Sequence, residues 1–179
     1  MNRILLGYGT RYGTTRQIAT EIADVLRARA DVDLVDLKRE RPPRNLIEYD
    51  LVVIGTGIQA GRWTSEAIKF IEKNRDSLAQ LKIALFVVCG YAASPDKRHE
   101  AQAEYLDAIM ARFPELKVVA TGLFPGMFDM SKYSPLVRFI IKRMLPRHEM
   151  KSEHIPEVID LRDMGMVRAW TEELVERFS

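Results

Sequence analysis

Cysteine is almost absent from this chain of 179 residues: Cys89 stands alone. That excludes an intramolecular disulfide and any cysteine-cluster zinc or iron–sulfur site. Histidine is scarce too, at three residues. His148 and His154 sit among charged neighbours without ligand spacing, so no metal is expected. A dominant charge sign is also missing, since 27 Lys and Arg oppose 25 Asp and Glu for a formal net charge of +2. So small an excess gives no bulk electrostatic argument for nucleic acid. Long apolar runs are lacking as well. The longest, Ile83 to Ala93, falls far short of the roughly 20 residues that span a bilayer. The stretch Met1 to Gly7 lacks the apolar core and cleavage site of a signal peptide. With 47% apolar residues the chain has material for a core, and its length suits a single domain over residues 1–179. The expectation is a soluble, cytoplasmic protein.

What is present is an alternation of short β-rich runs with helical periodicity. The runs are Arg3 to Tyr8, Val32 to Leu37, Leu51 to Gly55, Ile83 to Val88 and Lys117 to Ala120. Two of them, Leu51 to Gly55 and Ile83 to Val88, are continuously apolar, as strands covered on both faces must be. Between the runs, Ile18, Ile22, Val25 and Leu26 repeat at helical spacing. So do Ala67, Ile68 and Ile71, then Tyr105, Leu106, Ile109 and Phe113, and finally Val167, Trp170, Leu174 and Phe178. Strand alternating with helix predicts parallel strands joined by right-handed crossovers. The fold expected is α/β, a doubly wound five-stranded parallel sheet.

One segment breaks the rhythm. From Leu123 to Ile155, 33 residues intervene near the fifth strand, where connections of about 2–6 residues are usual. Within this insertion Lys132, Arg138, Lys142, Arg143, Arg147 and Lys151 oppose Asp129, Glu149 and Glu153. The basic excess of the chain is therefore local to it.

Ligands of open α/β sheets bind outside the carboxyl ends of the strands. The first such loop is Gly9 to Thr15. Thr10, Thr14 and Thr15 offer hydroxyls, Arg11 a cation and Tyr12 a phenol, while Gly13 lets backbone curl closely around an anion at a helix N-terminus. Capping explains one threonine but not three with a glycine. A P-loop is excluded because the loop holds no lysine. The dinucleotide fingerprint fits poorly: Gly7 and Gly9 are followed by Tyr12, and Gly13 comes one residue late, although Asp36 lies near the ribose-binding position. A monophosphate cradle fits better. The second loop, Thr56, Gly57, Ile58, Gln59, Ala60, Gly61 and on to Trp63, lets backbone approach a flat ligand. The third, Cys89, Gly90, Tyr91, Ala92 and Ala93, adds a second aromatic. Trp63 and Tyr91 are either faces for a planar ring or core packing, and Cys89 reads as a small buried residue. A phosphate at the first loop and a ring between the other two describe a mononucleotide with a tricyclic head.

At these residues the chain resembles the flavodoxin family. Thr10-Arg11-Tyr12-Gly13-Thr14-Thr15 is similar to that family's FMN-phosphate loop, departing from its commonest form at Tyr12 and Thr14. The resemblance implies FMN as cofactor and an isoalloxazine ring held by Thr56 to Trp63 and Cys89 to Ala93. It also implies a flavodoxin-like fold with a long-chain insertion. A narrower resemblance is to the flavodoxin-type, menaquinone-dependent protoporphyrinogen IX dehydrogenases of haem synthesis. It rests on Thr10-Arg11 with Gly13 and Thr15, on Val53-Ile54-Gly55 with Ile58, Gly61 and Trp63, on Ser94-Pro95-Asp96-Lys97-Arg98, and on Tyr133 with Val137 to Met144. This implies oxidation of protoporphyrinogen IX with a quinone as acceptor. The chemistry would be the flavin's, so no catalytic side chain is named. A flavodoxin-like electron carrier or quinone reductase, and a non-catalytic FMN module, are the other classes the residues allow.

Within the insertion, Ser134 or Pro135 would open a helix and Pro146 close it. Leu136, Val137, Ile140, Ile141 and Met144 fall in one apolar arc, with Arg138 and Lys142 opposite and Phe139 and Arg143 at the boundaries. Such a helix suits a membrane surface, a large apolar substrate, a second subunit or a cover for the sheet edge. Tyr133, Arg138, Lys142 and Arg143 are the candidates for substrate or membrane contact, the latter placing the protein at the inner face of the cell membrane.

Overall fold

Five parallel strands form the centre of the computed structural model, which describes residues 2–144 and 157–178. They are β1 (Asn2–Gly9), β2 (Ala30–Asp36), β3 (Leu51–Gln59), β5 (Lys82–Val88) and β6 (Lys117–Phe124), while β4 (Arg62–Trp63) is a short addition to β3. The spatial order is β2-β1-β3-β5-β6, so the chain reverses direction across the sheet between β1 and β3. Register follows from pairs such as Leu6↔Leu34, Leu6↔Val53 and Val53↔Ala84.

Side chains alternate across this sheet with the period of two that extended backbone imposes. Ile4, Leu6 and Tyr8 point to one face and Leu5 to the other. The first face is closed by α1 (Thr14–Arg27) and α7 (Met164–Phe178), through Ile18, Ile22, Leu26, Val167 and Leu174. Ala19 and Ala23 are fully buried in the same stripe, letting helix and sheet approach closely. Trp170 is half-buried at the rim, where its Nε1–H donates to the Thr121 carbonyl (2.8 Å); the side chain of Phe178 lies outside the described residues. The second face is closed by α2 (Ser65–Lys73), the short α3 (Arg75–Leu78) and a long irregular helix. That helix runs as α4 (Pro95–Ala101), a π-helical stretch (Gln102–Asp107) and α5 (Ala108–Arg112). Phe86 is fully buried at the centre, its ring 6.1 Å from Phe124 and 6.4 Å from Trp170.

The second loop proves to be a hairpin. β3 continues through Gln59 and pairs antiparallel with β4, Ile58 opposite Trp63 and Gln59 opposite Arg62. Ala60 (φ 48°) and Gly61 (φ 71°) form the two-residue turn, both in the left-handed region that tight hairpins require.

After β6, which includes Leu123 and Phe124, the chain forms β7 (Met127–Asp129), a 3-10 turn over Met130–Lys132 and α6 (Pro135–Met144). β7 pairs antiparallel with β8 (Val158–Asp160), Phe128 opposite Ile159. Met130 and Ile159 centre a small apolar cluster with Phe128, Tyr133, Val137 and Leu161. Pro146, Arg147, His148, Lys151 and His154 lie outside the described residues. Among those described, no helix is long and apolar enough to cross a membrane.

Candidate functional site

β1 ends at Gly9, and four residues later Gly13 (φ 95°, ψ −12°) turns the chain into α1. A left-handed backbone there costs an L-residue about 1–2 kcal/mol, and glycine avoids that strain. The Gly13 amide donates to Thr10 Oγ1 (3.0 Å), which closes the loop. No side chain caps α1, so its first-turn amides are left for an anion at the positive end of the helix dipole. Thr15 is buried (3% exposed), and its Oγ1 lies 2.8 Å from where a Cβ on Gly57 would stand. Glycine at 57 is therefore what lets the loop before α1 and β3 meet. Thr14 Oγ1 donates to the Met127 carbonyl (3.3 Å), tying the loop to the insertion.

Together these elements line one cleft. The first loop lines it with Thr10, Arg11, Tyr12, Thr14 and Thr15. The hairpin contributes Gly57, Ile58 and Gln59, and the end of β5 contributes Cys89 and Gly90. Tyr133 comes from the insertion to complete it, its ring centroid 4.6 Å from that of Tyr12 in an edge-to-face contact. The lining joins hydroxyls, amides and one guanidinium to the apolar Ile58, Val88, Met127 and Phe128. That combination fits a phosphate monoester carrying a flat, largely apolar ring.

Several expected residues lie elsewhere. Gly13 sits on the outer side of the loop. Thr56 is fully buried, its hydroxyl 3.1 Å from that of Thr64 and accepting from the Thr64 amide (3.0 Å). Ala60 and Gly61 form the hairpin turn, away from the cleft. Trp63 offers no face to a ligand: it is 8% exposed, and its Nε1–H donates to the Tyr105 carbonyl (2.7 Å) in the π-helical stretch. Tyr91, Ala92 and Ala93 form a 3-10 turn beside the cleft, with Tyr91 packed against the core and Ala92 buried. Arg98 fixes this turn by donating to the carbonyls of Ala92 (2.9 Å) and Leu123 (2.8 Å). Burial pushes the Cys89 thiol up to about 11, so it lines the cleft as a protonated, unreactive group.

On the insertion, the Arg138 guanidinium donates to the carbonyls of Tyr133 (2.9 Å) and Ser131 (3.5 Å), bracing the turn before α6 rather than facing the cleft. Arg143 stacks over Phe139 (5.1 Å), and the side chain of Lys142 lies outside the described residues. The apolar arc of α6 is split. Val137 packs into the small cluster, while Leu136, Phe139 and Ile140 are 69%, 55% and 49% exposed. A cluster centred on two buried residues covers only one line of so broad an arc.

Thr64, Val88, Gly126, Met127 and Phe128 line the cleft without having been anticipated. One signal for them was legible: Pro125-Gly126 marks a turn at the carboxyl end of the fifth strand.

Burial also pushes the phenols of Tyr49, Tyr105 and Tyr133 up to about 12. A phenol ionises near pH 10 in an unfolded chain, so folding holds these groups in their neutral form. Their stabilising contribution is complete below about pH 10 and is lost as pH rises towards about 12. Alkaline titration should show phenolate absorbance rising together with loss of helical circular dichroism, and Tyr133→Phe should delay that loss. Ionisation near pH 10 with the fold intact would contradict the burial described.

A model of the flavodoxin domain matches residues 5–154, and the chain belongs to the flavodoxin-domain family. Among curated proteins, the protoporphyrinogen IX dehydrogenase (quinone) of Escherichia coli strain K12 is 25% identical over 158 residues, 88% of this chain and 86% of that one. Among solved structures, a short-chain flavodoxin associated with a non-canonical PDU bacterial microcompartment superposes with a TM-score of 0.60 at 12% identity, covering 100% of both chains. A flavoprotein from Lactobacillus acidophilus NCFM, solved in complex with FMN, gives 0.53 at 12% identity, covering 69% of this chain and 93% of its own. The structural likenesses bear on the fold, an α/β architecture with a mostly parallel central sheet.

Proposed function

We propose that the protein is an FMN-dependent oxidoreductase that oxidises protoporphyrinogen IX to protoporphyrin IX, passing electrons to a quinone such as menaquinone in haem synthesis. The observation that carries the cofactor is the cleft itself, where the uncapped N-terminus of α1 and the hydroxyls of Thr10 and Thr15 meet the apolar wall of Ile58, Met127 and Phe128. FMN, when bound, supplies two-electron chemistry. The chain's own residues bind and orient. Thr10, Thr15 and the α1 amides hold the phosphate, Gly57 admits close backbone approach, and Phe128 with Tyr133 excludes water. The substrate assignment is supported by the likeness to the Escherichia coli dehydrogenase and by an insertion that reaches the cleft.

A lipid-soluble acceptor calls for contact with the membrane that holds it. The exposed Leu136, Phe139 and Ile140 of α6, beside Arg143, suit peripheral docking at the inner face of the cell membrane, where apolar residues insert and cations meet anionic headgroups.

The test is anaerobic turnover of protoporphyrinogen IX by the flavin-loaded protein with menaquinone as acceptor. Quinone-dependent porphyrin formation is expected. A flavin-loaded protein without turnover would defeat the porphyrin assignment, and rapid reoxidation by ferredoxin-type partners would favour an electron carrier.

A further inference from the structure

The phosphate loop has two faces. Thr14 and Thr15 line only the inner cleft, whereas Gly13 and Arg16 line an adjoining cleft on the outer side, between the loop and the end of β2, and Thr10, Arg11 and Tyr12 border both. Five of the nine residues lining this outer cleft are basic: Arg11, Arg16, Lys38, Arg39 and Lys132. The whole chain has 27 basic residues in 179, so the concentration is local and is not a reflection of composition.

The acids nearby offset only part of it, pairing with Arg39 and Lys132. Asp36 is the one carboxylate in the lining, and it is 5% exposed. Its Oδ1 accepts the Lys38 amide (3.1 Å), and its Oδ2 lies 3.8 Å from Arg39 Nε. Asp129 pairs with Lys132 Nζ at 3.2 Å. Arg11 rests over the Tyr12 ring (5.7 Å). The side chains of Arg16 and Lys38 have no hydrogen-bond or ion-pair partner among the described residues. Like charges gathered around one cavity repel each other, and an anion placed among them relieves that repulsion.

These cations are not needed for the phosphate in the inner cleft, because of the five only Arg11 also lines it. We propose that the outer cleft is a second anion site, for a phosphate ester, held by Arg16, Lys38 and Arg39 and flanked by Arg11 and Lys132. Guanidinium forks and ammonium groups from several directions match the oxygens of a phosphate better than the two of a carboxylate. The phosphate ester is either that of a soluble nucleotide or that of an anionic lipid headgroup. The assignment rests on the proposed function in one respect, that the FMN phosphate occupies the inner face.

Calorimetric titration of the FMN-loaded protein tests it, with ADP against adenosine as soluble probes and phosphatidylglycerol against phosphatidylcholine vesicles as the lipid arm. Saturable binding of one phosphate-bearing anionic probe and not of its control is expected. It should weaken about tenfold or more in the Arg16→Gln/Lys38→Gln double variant, with flavin content unchanged. ADP binding identifies a nucleotide site, and binding of phosphatidylglycerol vesicles alone identifies a headgroup site. No saturable binding of either probe, or binding undiminished in the variant, overturns the proposal. If the protein fails to retain FMN, the cofactor assignment fails separately. The outer site is then still read from whether ADP binding responds to Arg16 and Lys38 or only to Thr15→Val.

Discussion

Gly55→Val should destabilise the protein by about 3 kcal/mol or more, the upper end of what overpacking a core costs. Gly55 lies in the middle of β3, opposite Tyr8 on β1 and Phe86 on β5. A Cβ there would stand 1.9 Å from Phe86 Cζ, far inside contact distance. Phe86 cannot retreat, since it is fully buried and its ring is held against Phe124 and Trp170. Against a total stability of about 5–15 kcal/mol, the loss is large, and thermal denaturation should show a midpoint lowered by about 10 °C. Adding Phe86→Leu to the variant should recover part of the loss, because the clash lies with that ring. In a double-mutant cycle this appears as a coupling energy. Equal melting of Gly55→Val and the parent protein would show that β3 and Phe86 do not meet as described.

The same pair shows why the sheet was legible in the sequence. Leu51 to Gly55 and Ile83 to Val88 are apolar without alternation, because helices cover both faces of β3 and β5, and their shortness and β-branched residues set them apart from buried helix. The pieces that escaped notice are β4, β7 and β8, of two or three residues each, too short for any periodicity. Trp63 shows a different limit. An aromatic after a glycine-rich loop looks available to a ligand, but its indole partner is a carbonyl 42 residues further on. That carbonyl belongs to a π-helical stretch with no local signature. The first loop was readable because its chemistry is local, with three threonines and Gly13 within six residues. Contributions from Thr64, Val88 and Phe128 were not, because only the tertiary fold brings them to the cleft. Tyr133 stood out in the sequence, but its contact with Tyr12 depends on the path of the insertion, which no local pattern encodes.

Removing the hydroxyls of Thr10 and Thr15 should break the phosphate cradle while leaving the fold in place. Thr15→Val keeps the shape of a side chain that is 3% exposed and deletes only its Oγ1. Thr10→Val also removes the acceptor of the Gly13 amide (3.0 Å), so the loop loses its internal closure as well as a donor. A hydrogen bond to a charged group contributes about 1.5–3 kcal/mol, and about 1.4 kcal/mol is tenfold in affinity. The double variant should therefore bind FMN about 100-fold more weakly or worse, measured by quenching of flavin fluorescence on titration. Riboflavin separates this cause from a general loosening of the cleft. It carries the same ring without the phosphate, so its affinity should be nearly the same for parent and variant. If FMN and riboflavin weakened alike, the threonines would be shaping the ring site instead, and the seat of the phosphate at the start of α1 would have to be abandoned.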